Sequence, residues 1–137
     1  MLALPAAIHV EIAAHALHGL PNEACGLLAA RPGTDAVERF YPVENVARSS
    51  QIYQLDPNGF LRAERDADEG GLEIVGVMHS HTHTTCYPSP TDVEDASNFD
   101  PFGAWHFLIV SLKHPQPAMR SFRILDGEIT EEPVVLA

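Results

Sequence analysis

The sequence predicts an α/β domain built on a mostly antiparallel or mixed β-sheet. Three observations support this. Short apolar runs bounded by turn residues recur along the chain. Three other stretches read as helices, the first from apolar residues at helical spacing. Strands and helices do not alternate in regular βαβ order, and the last third reads as strands joined by tight turns.

Residues 2 to 4 form a short strand, and Pro5 suits the first turn of a helix, where its missing N–H costs nothing. In AAIHVEIAAHALHGL, Ile8, Ile12, Ala16 and Leu20 lie along one helical stripe, with Gly19 as the stop. ACGLLAA reads as a buried strand, and RPGTD as the turn into a second strand, AVERFYPV. IYQLD is a short strand ahead of a helix, PNGFLRAERDADEGG, whose acidic end is solvated. LEIVGVMHSH is the strongest strand signal in the chain. After the loop that follows comes a short helix, from Thr91 to Phe99. AWHFLIVSL, AMRSFRIL and EITEEPVVL then read as three antiparallel strands, turning at KHPQP and DG. Without repeats or a linker, residues 1–137 are expected to form one domain.

At 137 residues the chain is long enough to bury a single core. Its 45% hydrophobic and 20% charged residues argue for a globular protein over a disordered one. With 19 acidic residues against 8 basic ones the net charge is −11, which makes nucleic acid an unsuitable partner because phosphate binding needs Lys and Arg. Two cysteines, Cys25 and Cys86, are too few for a disulfide framework. The first residues lack the basic region of a signal peptide. No apolar run approaches the ~18 residues of a membrane span. The expectation is a cytoplasmic protein with no membrane partner.

Chemistry concentrates in HSHTHTTCYPSPTD, residues 79–92. His79 and His81 end a strand, and side chains two apart on a strand share a face, so both imidazoles point one way while Ser80 points the other. Such a pair can chelate a divalent metal. Asp92 follows where a helix begins, after a loop able to fold back; it can serve as a third ligand, as a helix-start carboxylate, or as both. Three N/O ligands leave a fourth tetrahedral position for water, the arrangement of a catalytic zinc. Neither an HExxH helix nor the HxE with PCxxC of zinc deaminases is present, so the base for a hydrolysis must come from elsewhere.

NEACGLLAA, residues 22–30, together with HSHTHTTCYPSPTD, resembles the JAMM metalloproteases, the catalytically competent branch of the MPN/Mov34 family. Their pattern is a Glu ahead of a Gly-Leu-rich strand, then H-x-H, seven residues, Ser, two residues and Asp. Here it reads Glu23, His79, His81, Ser89 and Asp92, with every spacing matched. ENVARSSQIYQLDP resembles the family's connecting segment, with Asn45, Ser49, Tyr53 and Asp56 in register. YPSPTDVEDA and RSFRILDGEITEEPV are similar to the small actinobacterial-type enzymes that remove cysteine from a ubiquitin-like sulfur-carrier protein. Many members carry proline after the second metal histidine, where this chain has Thr82.

The resemblance implies a curved sheet flanked by helices, with one Zn2+ held by His79, His81 and Asp92. It makes Glu23 the general base and then the acid, and Ser89 a donor to the oxyanion; a helix N-cap is the alternative for Ser89. It implies a peptidase or isopeptidase acting after the Gly-Gly tail of a ubiquitin-like protein, with a sulfur-carrier–cysteine adduct as first choice. The rivals are an isopeptidase for another ubiquitin-like modifier, a non-catalytic MPN scaffold, and a metal-storage protein. Cys86 reads as a passive loop residue, with an oxidisable thiol or a fourth ligand as alternatives. His83 reads as exposed or substrate-facing, Cys25 as a small core residue, and His106 as a satisfied strand histidine.

Overall fold

In the computed structural model, which describes residues 1–137, the chain runs β1 (Leu2–Leu4), α1 (Ala6–His18), β2 (Cys25–Ala30), β3 (Val37–Val43), α2 (Pro57–Glu69) and β4 (Glu73–His81). It continues through α3 (Pro90–Phe99), β5 (His106–Ser111), β6 (Ala118–Leu125), β7 (Glu128–Glu132) and β8 (Val134–Leu136). Six strands form one mixed sheet in the order β3-β2-β4-β5-β6-β7. Only β4 and β5 are parallel neighbours. Their residues are buried along almost their whole length, as strands covered on both faces must be.

Alternation along each strand feeds two cores. On one face Leu28, Met78, Leu108 and Val110 pack with Ile8, Ile12 and Ala16 of α1. On the other, Leu27, Val77, Phe107 and Ile109 pack with Ala63 of α2 and Ala96 of α3. His79 and His81 belong to this second face by the same period of two. Gly76 pairs with His106 of β5, and a Cβ there would strike the His106 carbonyl oxygen. No helix is long and apolar enough to cross a membrane.

Three expectations need correction. Leu20 is not on the α1 stripe; the helix ends at His18 and Leu20 is exposed in the turn beyond it. IYQLD is not a strand, contributing only an isolated bridge between Asn45 and Leu55: the Asn45 side chain takes the Ile52 carbonyl and the Gln54 N–H, and further backbone bonds go to Glu44 and Val46. EITEEPVVL is not one strand. Pro133 has no N–H to continue a ladder, so β7 stays in the main sheet while β8 pairs in parallel with β1 in a separate two-stranded sheet.

Candidate active site

Three ligand atoms converge at the C-terminal end of β4. His79 Nε2 lies 3.1 Å from His81 Nε2 and 3.1 Å from Asp92 Oδ2, and His81 Nε2 lies 3.0 Å from the same oxygen. All three residues are buried. Asp92 comes from α3, and a capping box sets its position: Ser89 Oγ accepts from the Asp92 N–H at 3.1 Å while Asp92 Oδ2 accepts from the Ser89 N–H at 2.9 Å. Asp92 is thus both helix-start carboxylate and member of the cluster.

Hydrogen bonding alone does not account for this triangle. The Thr85 carbonyl, 2.7 Å from His81 Nδ1, can only accept, so Nδ1 carries the proton. In the neutral ring Nε2 then presents a lone pair to the Asp92 carboxylate and to His79. Two acceptors 3.0 Å apart, His81 Nε2 and Asp92 Oδ2, repel unless a cation or an extra proton lies between them. A tetrahedral ion with bonds of about 2.0–2.1 Å needs ligand atoms roughly 3.3 Å apart, a difference of tenths of an ångström. The donor set fits a divalent metal, and the Thr85 contact is the outer hydrogen bond that orients such a histidine. Burial opposes the charge on Asp92, but where the facing histidine nitrogens carry a proton, they and the Ser89 N–H hold its carboxyl well below the usual range.

Glu23 lies beside this cluster, buried, with Oε1 lacking any protein partner. Its backbone is tied down on three sides. The Glu23 N–H donates to the Ser49 carbonyl at 2.8 Å, Asn45 Nδ2 donates to the Glu23 carbonyl at 2.9 Å, and the Ala24 N–H donates to Ser80 Oγ at 2.8 Å. Antiparallel pairing of Cys25 with His79 places Glu23, two residues before β2, next to the two histidines. Burial pushes the Glu23 carboxyl up to about 8, with the Asp92 charge adding to it and His81 opposing it. A dication among the three ligands would pull it back toward ionisation.

An open groove of about 530 Å³ exposes this chemistry, with Glu23, His81 and Ser89 in its walls together with Gln51 and His83. The structure therefore brings the five residues singled out in the sequence to one place. Ser89 Oγ accepts the capping bond through a lone pair, which leaves its O–H free to donate into the groove. Cys86 stands outside the ligand cluster, buried and donating to the Ala118 carbonyl at 3.4 Å. Cys25 is a core residue, and His106 is satisfied by Glu132 at 2.6 Å and Asp35 at 3.1 Å.

Ser80, Asn45 and Tyr53 are positioning residues whose parts sequence reasoning did not assign. Ser80 faces away from the His79–His81–Asp92 cluster, as alternation predicts, but there it anchors the Glu23 segment through the Ala24 N–H. The Tyr53 ring stacks on His79, centroids 4.4 Å apart. The only sequence signal for Asn45 and Tyr53 was their register in the connecting segment.

Residues 5–125 match the family model described as prokaryotic homologs of the JAB domain. A CysO-cysteine peptidase of Mycobacterium tuberculosis is 43% identical over 122 residues, spanning 88% of this chain and 81% of its own. A desampylase of Haloferax volcanii is 36% identical over 101 residues, covering 70% of this chain and 73% of that protein. A Desulfitobacterium hafniense protein solved in solution superposes with a TM-score of 0.89 at 38% identity, over 100% of this chain and 93% of the other. On the extent of the family match and these identities, the chain belongs to the prokaryotic JAB-domain homologs.

Proposed function

We propose that this chain is a single-domain zinc peptidase of the cytoplasm, hydrolysing the amide bond after the Gly-Gly tail of a ubiquitin-like sulfur carrier and releasing cysteine. The observation that carries this reading is the convergence of His79 Nε2, His81 Nε2 and Asp92 Oδ2 within 3.1 Å of one another, with the partnerless Oε1 of Glu23 beside it. Its likeness to a CysO-cysteine peptidase and a desampylase supports the choice of substrate. An isopeptidase for another ubiquitin-like modifier is the competing reading, favoured by the desampylase likeness alone.

His79, His81 and Asp92 would hold the zinc. When bound, zinc supplies Lewis acidity, polarising the scissile carbonyl and making water a nucleophile at neutral pH. Glu23 takes the proton of the attacking water on Oε1 and passes it to the leaving amine, so one residue serves as base and then acid. Ser89 donates its free O–H to the oxyanion of the tetrahedral carbon. The segment around Ser50 and Gln51 forms one wall of the groove and Thr82 to Thr85 line another, a channel suited to an extended tail with small side chains.

The test compares three substrates at equal concentration by mass spectrometry: a carrier ending in Gly-Gly-Cys, a short peptide with the same tail, and a Lys-linked diubiquitin. The carrier adduct should release cysteine far faster than the other two are cut. Equal cleavage of diubiquitin would end the sulfur-carrier assignment and leave only a metallopeptidase.

A further inference from the structure

We infer that a basic pocket at the β5–β6 turn binds the α-carboxylate of the amino acid that leaves, so that the enzyme selects a single C-terminal residue by charge. This rests on the reaction proposed above and names how its leaving-group side is recognised. The pocket, about 340 Å³, is walled by Ser111, Lys113, His114 and Arg120, with Thr85 and Tyr87 at one side. Thr85 and Tyr87 also line the groove that holds Glu23, His81 and Ser89, so the two cavities adjoin.

Register places the pocket on the metal side of the sheet. His79 pairs with Ile109 and His81 with Ser111 across the parallel β4–β5 ladder. Ile109 in turn pairs with Arg120, and Ser111 with Ala118. Partners in a ladder share a face, so Arg120 stands on the face of the two histidines, and Lys113 follows two residues beyond Ser111. The carboxylate of an amino acid lies roughly 3.5 Å from its own nitrogen, and neighbouring strands lie about 4.8 Å apart. A residue whose nitrogen is at the histidines on β4 and whose carboxylate points across the ladder covers most of the way to β5, and the long side chain of Arg120, on the strand beyond, must reach back over the rest.

Charge makes the pocket unusual in this molecule. The chain carries a net charge of −11, yet this cavity has basic side chains and no carboxylate in its walls, whereas the groove beside it holds Glu23 and the cavities lined by Asp95, Asp68 and Asp126 are acidic. Lys113, the single lysine of the chain, ion-pairs with none of its carboxylates. Arg120 has only Glu131, at 3.6 Å and well exposed on both sides, a pair that a carboxylate ligand can displace at little cost. Elsewhere Arg31, Arg39 and Arg123 are engaged by Glu38, Asp66 and Glu132 at 2.7–3.3 Å. An isopeptide on a protein lysine has no carboxylate at this position, so the pocket discriminates against it.

The experiment uses a carrier ending in Gly-Gly-Ser as the free acid or as the C-terminal amide, serine replacing cysteine so that no thiol reaches the metal. Wild-type protein should cleave the acid with a kcat/KM at least roughly tenfold above the amide, the discrimination of one charge-assisted hydrogen bond. The double variant Lys113→Gln, Arg120→Gln should bring the acid down to the rate of the amide, with bound metal unchanged. Equal wild-type rates, or a preference that survives the double substitution, would overturn the pocket. If neither carrier is cleaved, the proposed reaction fails while NMR titration with N-acetyl-Gly-Gly-Ser still decides the pocket. Shifts at Lys113 and His114 with the acid alone uphold it; no shift, or equal shifts with the amide, removes it.

Discussion

Replacing Glu23 by Gln should stabilise the metal-free protein at pH 8 while disabling the enzyme. Burial raises this carboxyl from 4.5 to about 8. In the unfolded chain it ionises at its ordinary value, so between those limits the folded state binds the proton more tightly. Stability from this group is therefore complete below pH 4.5 and is lost as pH rises through 8, by about 1.4 kcal/mol per pH unit. Across the window the upper limit is roughly 5 kcal/mol; the open groove lets water screen the charge, and about half is a reasonable working figure. The neutral amide has no such dependence. The variant should gain about 2 kcal/mol at pH 8, raising Tm by roughly 8 °C for a chain of this length, and should nearly match wild type at pH 4.5. Thermal unfolding of both proteins after metal removal measures this. Bound metal should shrink the difference, because a dication favours the carboxylate. Turnover of the loaded variant should fall roughly 10²–10⁴-fold, the contribution of a positioned acid–base group. Parallel pH profiles for the two proteins, or a variant less stable at pH 8, would refute the reasoning.

Other substitutions probe the remaining parts. Purified protein should carry about one zinc, and His79→Ala, His81→Ala together should remove both metal and activity; full zinc occupancy in that variant, by elemental analysis, would exclude the ligand set. Ser89→Ala should keep zinc, lose on the order of 10²-fold in turnover, and lose about 1 kcal/mol of stability with the helix cap. Ser89→Gly separates the two roles, since glycine costs a cap only a few tenths of a kcal/mol but lacks the hydroxyl. Cys86→Ser should leave turnover within a few-fold, because the thiol lies outside the ligand cluster; a large gain would show that it caps the metal. Gly76→Ala should cost about 1–3 kcal/mol in denaturant melts, as its methyl meets the His106 carbonyl oxygen across the ladder.

Much of this protein follows from short-range pattern. The α/β class, all three helices and the ends of β4 and β6 are legible because apolar spacing and turn residues act within a few positions. The common face of His79 and His81 follows from alternation alone. The capping geometry of Ser89 and Asp92 is written in their three-residue spacing. What lay beyond the sequence depends on pairing between distant segments. Glu23 reaches the cluster of His79, His81 and Asp92 because Cys25 pairs with His79, 54 positions away, and no local periodicity encodes that register. The chain from Gln51 to Asp56 has the composition of a strand but bonds to the Asn45 side chain and the backbone of Glu44 and Val46. The C-terminal run divides at Pro133 because β1 offers β8 a second partner. Lys113 and Arg120 stand apart in sequence as ordinary surface charges. Only the packing of β5 beside β4 and of β6 beside β5 sets them on the histidine face, where an otherwise acidic molecule presents a positive pocket adjoining the groove of Glu23 and His81.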